Sequence, residues 1–213
     1  MKKFFLSISF AITVSCSPPG LTRRTLPDSI ASEFGAFCLN GLPPSMDIRL
    51  AAENSPDKDK WIIYLEGGGW CYGPDADSTI TNCLGRAGFA TTGGIIKGEE
   101  DGDGEVPDYG GIEEDGDGDV PDYGGILSSN STVNPDFYRW NVAFMHYCDG
   151  ASFAGSRTEA IPATTKDGNP AEMFLRGRNV FDGLVSDLQT TQGMDKATEI
   201  ILSGGSAGGL AVF

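Results

Sequence analysis

Three short apolar runs, each opening onto glycine or other small residues, set the pattern of the chain. Trp61-Ile-Ile-Tyr-Leu-Glu66 is β-branched and aromatic over six positions and reads as a strand. It runs straight into Gly67-Gly68-Gly69-Trp70-Cys71. Val142-Ala-Phe-Met-His-Tyr147 reads as a second strand, followed by the small, polar stretch Cys148-Asp149-Gly150-Ala151-Ser152-Phe153-Ala154-Gly155. Glu199-Ile-Ile-Leu202 reads as a third, buried strand, and it opens onto Ser203-Gly-Gly-Ser-Ala-Gly-Gly209. Before it, Val180, Phe181, Leu184, Val185 and Leu188 share one face at helical spacing, which predicts an amphipathic helix over residues 174–188. Gly193 stands where that helix and its connector would stop. Upstream, Ala36-Phe-Cys-Leu-Asn-Gly41 reads as a short strand entering a turn that Pro43-Pro44 breaks, and residues 17–35 show little pattern. Strand–loop, strand–loop, helix, strand–turn is the alternation of an α/β fold. It predicts a doubly wound sheet with its functional loops at the strands' carboxyl ends.

Charge and composition change the picture at two places. Lys2 and Lys3 precede an apolar stretch, residues 4–14, that is too short to span a bilayer. Residues 1–16 are therefore expected to be a secretory signal, the product extracellular, and no other segment a membrane span. The net charge is −15, but residues 99–126 alone carry twelve Asp and Glu with no Lys or Arg; removing those twelve from −15 leaves −3. A near-neutral body without a basic stripe argues against nucleic acid as a partner. The acidic stretch is a tandem duplication: residues 99–112 recur as 113–126, with only Glu105 becoming Asp119. Too polar to offset its ordering entropy, it is expected to be a disordered insert. Asp101, Asp103 and Glu105, with Asp115, Asp117 and Asp119, suggest calcium. Val106 and Val120 nevertheless stand where an EF-hand needs glycine, and no glutamate closes the loop. Weak calcium binding at the repeat is all that remains of that reading, and no other metal site is expected.

With Cys16 assigned to the signal, Cys38, Cys71, Cys83 and Cys148 remain, an even number suited to disulfides in an oxidising compartment, with three pairings open. Asn130-Ser-Thr132 is a glycosylation sequon.

The chemistry points to the last apolar run. Gly204-x-Ser206-x-Gly208 after a strand is the pattern of a sharp strand-to-helix turn that lifts a serine hydroxyl above the sheet. Glycines are needed at Gly204 and Gly208 because a side chain there would collide with the neighbouring strand or helix. The Ala207 N–H would be one donor of an oxyanion hole, and the loop Gly67–Gly69 would supply the second. The loop after Tyr147 has the small polar character of a pocket wall, with Asp149 and Ser152 as candidate substrate contacts. His146, the single histidine, lies mid-strand and upstream of the serine, so a structural role is expected for it rather than that of general base.

Six segments in order resemble the pectin acetylesterase/Notum family, and the plant-type pectin acetylesterases more closely than Notum itself. They are Phe37-Cys-Leu-Asn-Gly41, Leu65-Glu-Gly-Gly-Gly-Trp-Cys71, Asn134-Pro-Asp-Phe-Tyr138, Tyr147-Cys-Asp-Gly-Ala-Ser-Phe153, Phe174-Leu-Arg-Gly177 and Gly204-Gly-Ser-Ala-Gly-Gly-Leu210. The resemblance covers residues 36–213 around the acidic insert at 99–126. It implies an α/β-hydrolase fold and a secreted, cell-wall-directed serine carboxylesterase that removes acetyl groups from a polysaccharide such as pectin, without metal or organic cofactor. Carried over by position, Ser206 is the nucleophile, Gly68, Gly69 and Ala207 donate to the oxyanion, and Trp70 lies beside the pocket. The implied disulfides are Cys38–Cys148 and Cys71–Cys83. Two departures stand out. Gly205 occupies a position where plant members carry cysteine. The family's triad Asp and His lie well downstream of the serine, and no histidine follows Ser206. The sequence therefore reads as the N-terminal part of an esterase, inactive alone. Its rivals are a Notum-like lipid-acyl esterase and a secreted, non-catalytic module working through its acidic repeat.

Overall fold

The computed structural model describes residues 20–87, 119–120, 122–165 and 168–213. The expected signal at 1–16 and most of the acidic repeat lie outside the described residues. Eight strands and four α-helices are described: β1 (Leu21–Thr25), α1 (Asp28–Phe34), β2 (Ser45–Arg49), β3 (Lys60–Leu65), α2 (Ala76–Arg86), β4 (Asp119–Val120), β5 (Asn141–Met145), β6 (Ile161–Thr164), β7 (Pro170–Met173), α3 (Gly177–Thr191), β8 (Glu199–Gly204) and α4 (Ser206–Ala211). Six strands form one sheet in the order β4-β1-β2-β5-β3-β8, and β6 and β7 pair as a separate hairpin. β5, β3 and β8 are parallel, while β4, β1 and β2 add to β5 antiparallel, so the sheet is mixed.

The period of two along each strand decides what each face buries. Trp61, Ile63 and Leu65 of β3 and Ala143 and Met145 of β5 meet Ala31 of α1, Cys83 of α2, Val180, Leu184 and Leu188 of α3, and Ala207 of α4. Ile62, Val142 and Phe144 point the other way and pack with Leu21, Leu127 and Trp140. Among the described residues, then, the helices lie on one face and aromatic loop segments cover the other.

Several expectations change here. Residues 36–41 are not a strand. They hook onto the loop after β5, where Leu39 N–H donates to Cys148 O at 2.9 Å and Cys38 is bonded to Cys148. The strands of this region are β1 and β2, on either side of that segment. β1, ahead of residue 36, pairs with β2 along four residues. Asp47 and Arg49 hid β2 from the apolar pattern; both are buried and paired, Asp47 with Arg23 at 3.0 Å and Arg49 with Asp122 at 3.1 Å. The stretch between Cys71 and Cys83 is largely helix, capped where the Asp75 carboxylate accepts the Ser78 N–H. The α3 helix starts at Gly177 and runs on to Thr191. Among the described strands β8 stands at one edge of the sheet, and its Ile200 and Leu202 are 52% and 38% exposed.

The end of the second acidic unit is also ordered. β4 pairs with β1, Asp122 meets Arg49 and accepts from Ser128 and Ser129, and Tyr123 stacks on Phe144 at 4.2 Å. The buried Arg49 and the Phe144 ring of β5 give this stretch the partners its own composition lacks. No described helix is long and apolar enough to cross a membrane.

Candidate active site

Register brings three loops to one level. Leu65 pairs with Met145 on one side and with Gly204 on the other, so β5, β3 and β8 end together. The glycine loop therefore sits between the loop after β5 and the turn that carries Ser206.

At that turn the backbone is held tightly. Gly205 N–H donates to Leu65 O at 3.1 Å, and Ser206, with φ of 48°, begins α4. A non-glycine residue at positive φ stores on the order of 1–3 kcal/mol and persists only where its surroundings enforce it. The surroundings here are steric. A Cβ on Gly204 would stand 2.6 Å from the Gly208 carbonyl and 2.8 Å from Leu65 O, and one on Gly208 would overlap the carbonyl oxygens of Leu65 and Glu66. Gly205, where the resemblance expects cysteine, has the Tyr64 hydroxyl 2.7 Å from where its Cβ would be, so the phenol takes up that volume. Ser206 is exposed at the head of the helix. Ala207 is buried, with its N–H among the first-turn donors that no helical carbonyl satisfies.

The glycine loop lies directly on this turn. A Cβ on Gly67 would stand 2.6 Å from Gly205 O and 2.8 Å from the Cβ of Ser206. Gly68 packs on the Tyr147 ring, and Gly69, at φ of 70°, packs on the Arg86 guanidinium. Two side chains hold the loop's carbonyls: Arg86 donates to Gly68 O, and Tyr147 Oη donates to Gly69 O at 2.8 Å. Burial, with Asp149 adding its charge, pushes the Tyr147 phenol well up, so it stays a donor. Arg86 and Tyr147 escaped the reading of the sequence. The only signal for Arg86 was its place one helical turn after Cys83.

Trp70 is half exposed and donates its indole N–H to Ser152 Oγ at 2.7 Å, so these two candidate contacts form one wall. Ser152 and Phe153 both carry positive φ, and Ser152 N–H donates to Tyr147 Oη at 2.9 Å. Asp149 belongs elsewhere. It is 1% exposed, its carboxylate accepts N–H bonds from Ala151 and Phe153, and it presses on Gly177 at the start of α3. Burial pushes its pKa up to about 6, with those backbone bonds opposing. It organises the loop from inside. The disulfides Cys38–Cys148 and Cys71–Cys83, the pairing the resemblance implied, tie this loop and α2 to the glycine loop's surroundings. A depression of about 380 Å³ runs from Ser206 along Leu202, Leu210, Val212 and Phe213 at the outer edge of β8.

His146 follows β5 immediately and is buried between two carboxylates, Asp47 at 3.0 Å and Glu66 at 3.3 Å. Burial opposes its charge, but those two bonds outweigh burial and raise its pKa to about 9. With both ring nitrogens engaged it is a structural cation. Glu66 in turn accepts the Tyr147 N–H at 2.8 Å, linking that cation to the glycine loop. No group of three or more His, Cys, Asp or Glu able to hold a metal occurs among the described residues.

Comparison with known proteins gives a consistent picture. The Pectinacetylesterase family model matches residues 119–213. Pectin acetylesterase 5 of Arabidopsis thaliana is 34% identical over 195 residues, 92% of this chain and 37% of that protein. The palmitoleoyl-protein carboxylesterase NOTUM of Schmidtea mediterranea is 25% identical over 175 residues, 82% of this chain and 27% of that protein. Among solved structures, the Wnt deacylase Notum from Drosophila superposes with a TM-score of 0.59 at 22% identity, covering 91% of this chain and 45% of that one, and so shares the fold. The chain spans less than half the length of these relatives. The family model and these relatives support, on sequence, the resemblance to the pectin acetylesterase/Notum family.

Proposed function

We propose that this chain carries the nucleophile turn and oxyanion loop of an extracellular serine carboxylesterase that removes O-acetyl groups from pectin or a related polysaccharide. The observation that carries the reading is the contact between two motifs far apart in sequence: Gly67 abuts Gly205 and Ser206 so closely that no Cβ fits between them. Ser206 Oγ attacks the acetyl carbonyl, and the N–H groups of Gly68, Gly69 and Ala207 take the developing negative charge. Collapse of the tetrahedral intermediate expels the sugar hydroxyl and leaves acetyl-Ser206. Water then attacks the ester and releases acetate, restoring the hydroxyl. A base must take the Oγ proton, and His146 is committed to Asp47 and Glu66. The resemblance assigns that base to a histidine in the part of the relatives that this chain does not span.

A Notum-like reading, in which the acyl group transferred to Ser206 is a lipid, rests on the similarity to the palmitoleoyl-protein carboxylesterase of Schmidtea mediterranea. The test measures acetate release from acetylated pectin, and cleavage of a palmitoleoylated serine peptide, by the intact protein and by Ser206→Ala. Acetate release that falls to background in Ser206→Ala, with an unchanged unfolding midpoint, supports the polysaccharide reading. Serine-dependent cleavage of the lipidated peptide alone shifts the assignment to the second, and hydrolysis indifferent to Ser206→Ala removes both.

A further inference from the structure

Three successive glycines carry no side chains that could hold their own conformation, and glycine loses more backbone freedom on ordering than any other residue. An oxyanion hole nevertheless works only if its donors are fixed before charge develops. The loop must therefore be held from outside. Arg86 grips the Gly68 carbonyl and Tyr147 the Gly69 carbonyl. Across a trans peptide the C=O and the following N–H point in opposite directions. Gripping Gly68 O thus sets the direction of the Gly69 N–H, and gripping Gly69 O sets that of Trp70.

Arg86 is built for this task. It ends α2, is 5% exposed, and its Nε has no partner among the described residues. Its guanidinium lies against Gly69, where an added Cβ would stand 3.3 Å from Nη2, at a φ that only glycine adopts freely. Cys83, three residues earlier on α2, is bonded to Cys71, which follows Trp70. Helix and loop are joined covalently at one end and through Arg86 at the other.

We propose that Arg86 is a positioning residue which, through the Gly68 carbonyl, turns the Gly69 N–H away from α2 and toward the space above Ser206. The disulfide Cys71–Cys83 keeps the guanidinium in place. This rests on the reading of Ser206 as nucleophile, but the orientation it predicts can be measured without turnover.

The experiment uses the intact protein with Arg86→Met, which keeps the length and loses the donor, Arg86→Lys, which keeps the charge, and Tyr147→Phe, which removes only the hydroxyl. On a small acetyl ester, Arg86→Met should lower kcat by about 10²-fold, the scale of one lost oxyanion donor, with KM within about twofold. Arg86→Lys should recover a good part of that loss. In parallel, the direction of the Gly69 N–H is read from residual dipolar couplings or a crystal structure of each variant. It should turn in Arg86→Met and stay in Arg86→Lys, while Tyr147→Phe releases the Trp70 N–H. A Gly69 peptide unmoved in folded Arg86→Met overturns the proposal, whatever the activity. So does a change confined to KM. Should Arg86→Met not fold, Arg86→Gln, whose side chain is too short to reach Gly68 O from α2, carries the same comparison, and wild-type kcat with a wild-type Gly69 N–H direction in it overturns the proposal. Hydrolysis indifferent to Ser206→Ala would sink the esterase reading instead, with the Gly69 orientation still deciding the role of Arg86.

Discussion

At Gly67 and Gly208 the volume of a single methyl group is already occupied by the backbone of another element. Backbone cannot swing aside as a side chain can, so the conflict must be relieved by moving the turn itself. Gly67→Ala should therefore cost about 1–3 kcal/mol of stability, in the range of overpacked cores. It should also cost more activity than stability, because the group displaced is Ser206. Gly85, inside α2, makes the contrast: a Cβ there meets nothing within 4 Å. Gly85→Ala should gain about 0.5–1 kcal/mol through the helix preference for alanine. Urea unfolding of the two variants beside ester hydrolysis checks both, and equal effects at the two glycines would remove the steric account of the turn.

Among the elements, those that position the site were legible because their chemistry is local. An apolar β-branched run ending in glycines announces β3 and its loop, and Gly204-x-Ser206-x-Gly208 announces the turn after β8. The rest was hidden where polar residues find partners only in three dimensions. β2 looks like no strand because Asp47 and Arg49 interrupt it, yet Arg23, His146 and Asp122 neutralise them inside the fold. The helix α2 is largely polar and carries few apolar residues to announce it, and the exposure of β8 depends on its place in the sheet order, which no local pattern encodes. The small neighbours of Asp149 suggested a pocket wall, and no local pattern announced that its carboxylate accepts the Ala151 and Phe153 N–H groups. The close of the second acidic unit teaches the same lesson and can be tested. Arg49 is 1% exposed and among the described residues its Nε and Nη2 have no partner, so Asp122 supplies its counter-charge. Burial draws the Arg49 pKa down, and Asp122 offsets that only in part. Asp122→Asn should cost on the order of 2 kcal/mol, below the 3–5 kcal/mol typical of a broken buried pair because Asp122 is partly exposed. A change below about 0.5 kcal/mol in chemical denaturation would mean that this stretch is an ornament on the sheet.

Across the whole molecule, His146 joins what the strands keep apart. It bonds Asp47 of β2 and Glu66 at the end of β3, and follows β5 itself, while Arg23 of β1 and Tyr123 converge on the same Asp47. Charge balance at this junction makes stability depend on pH. Burial would raise the Asp47 pKa, but bonds from His146, Arg23 and Tyr123 hold it well below the usual carboxylate range. It therefore remains ionised through neutral pH. The His146 pKa stands at about 9 in the folded chain against 6.5 for the free side chain. The folded state thus binds this proton more tightly than the unfolded state does. The resulting stability is complete below about pH 6.5 and is lost as pH rises through about 9, amounting to roughly 3 kcal/mol at 1.36 kcal/mol per unit. His146→Gln keeps hydrogen-bonding capacity but not the proton. It should be less stable than the parent at pH 6 and nearly level with it at pH 9.5. Unfolding midpoints in urea between pH 6 and 9.5 measure this directly, and parallel curves for parent and variant would mean that His146 is neutral between its two carboxylates. Since Glu66 also holds the Tyr147 N–H, and Tyr147 holds the Gly69 carbonyl, alkaline loss of this proton should loosen the glycine loop before the sheet melts. Ester hydrolysis should then decline at a lower pH than the unfolding signal in the parent, and the gap between the two should close in His146→Gln.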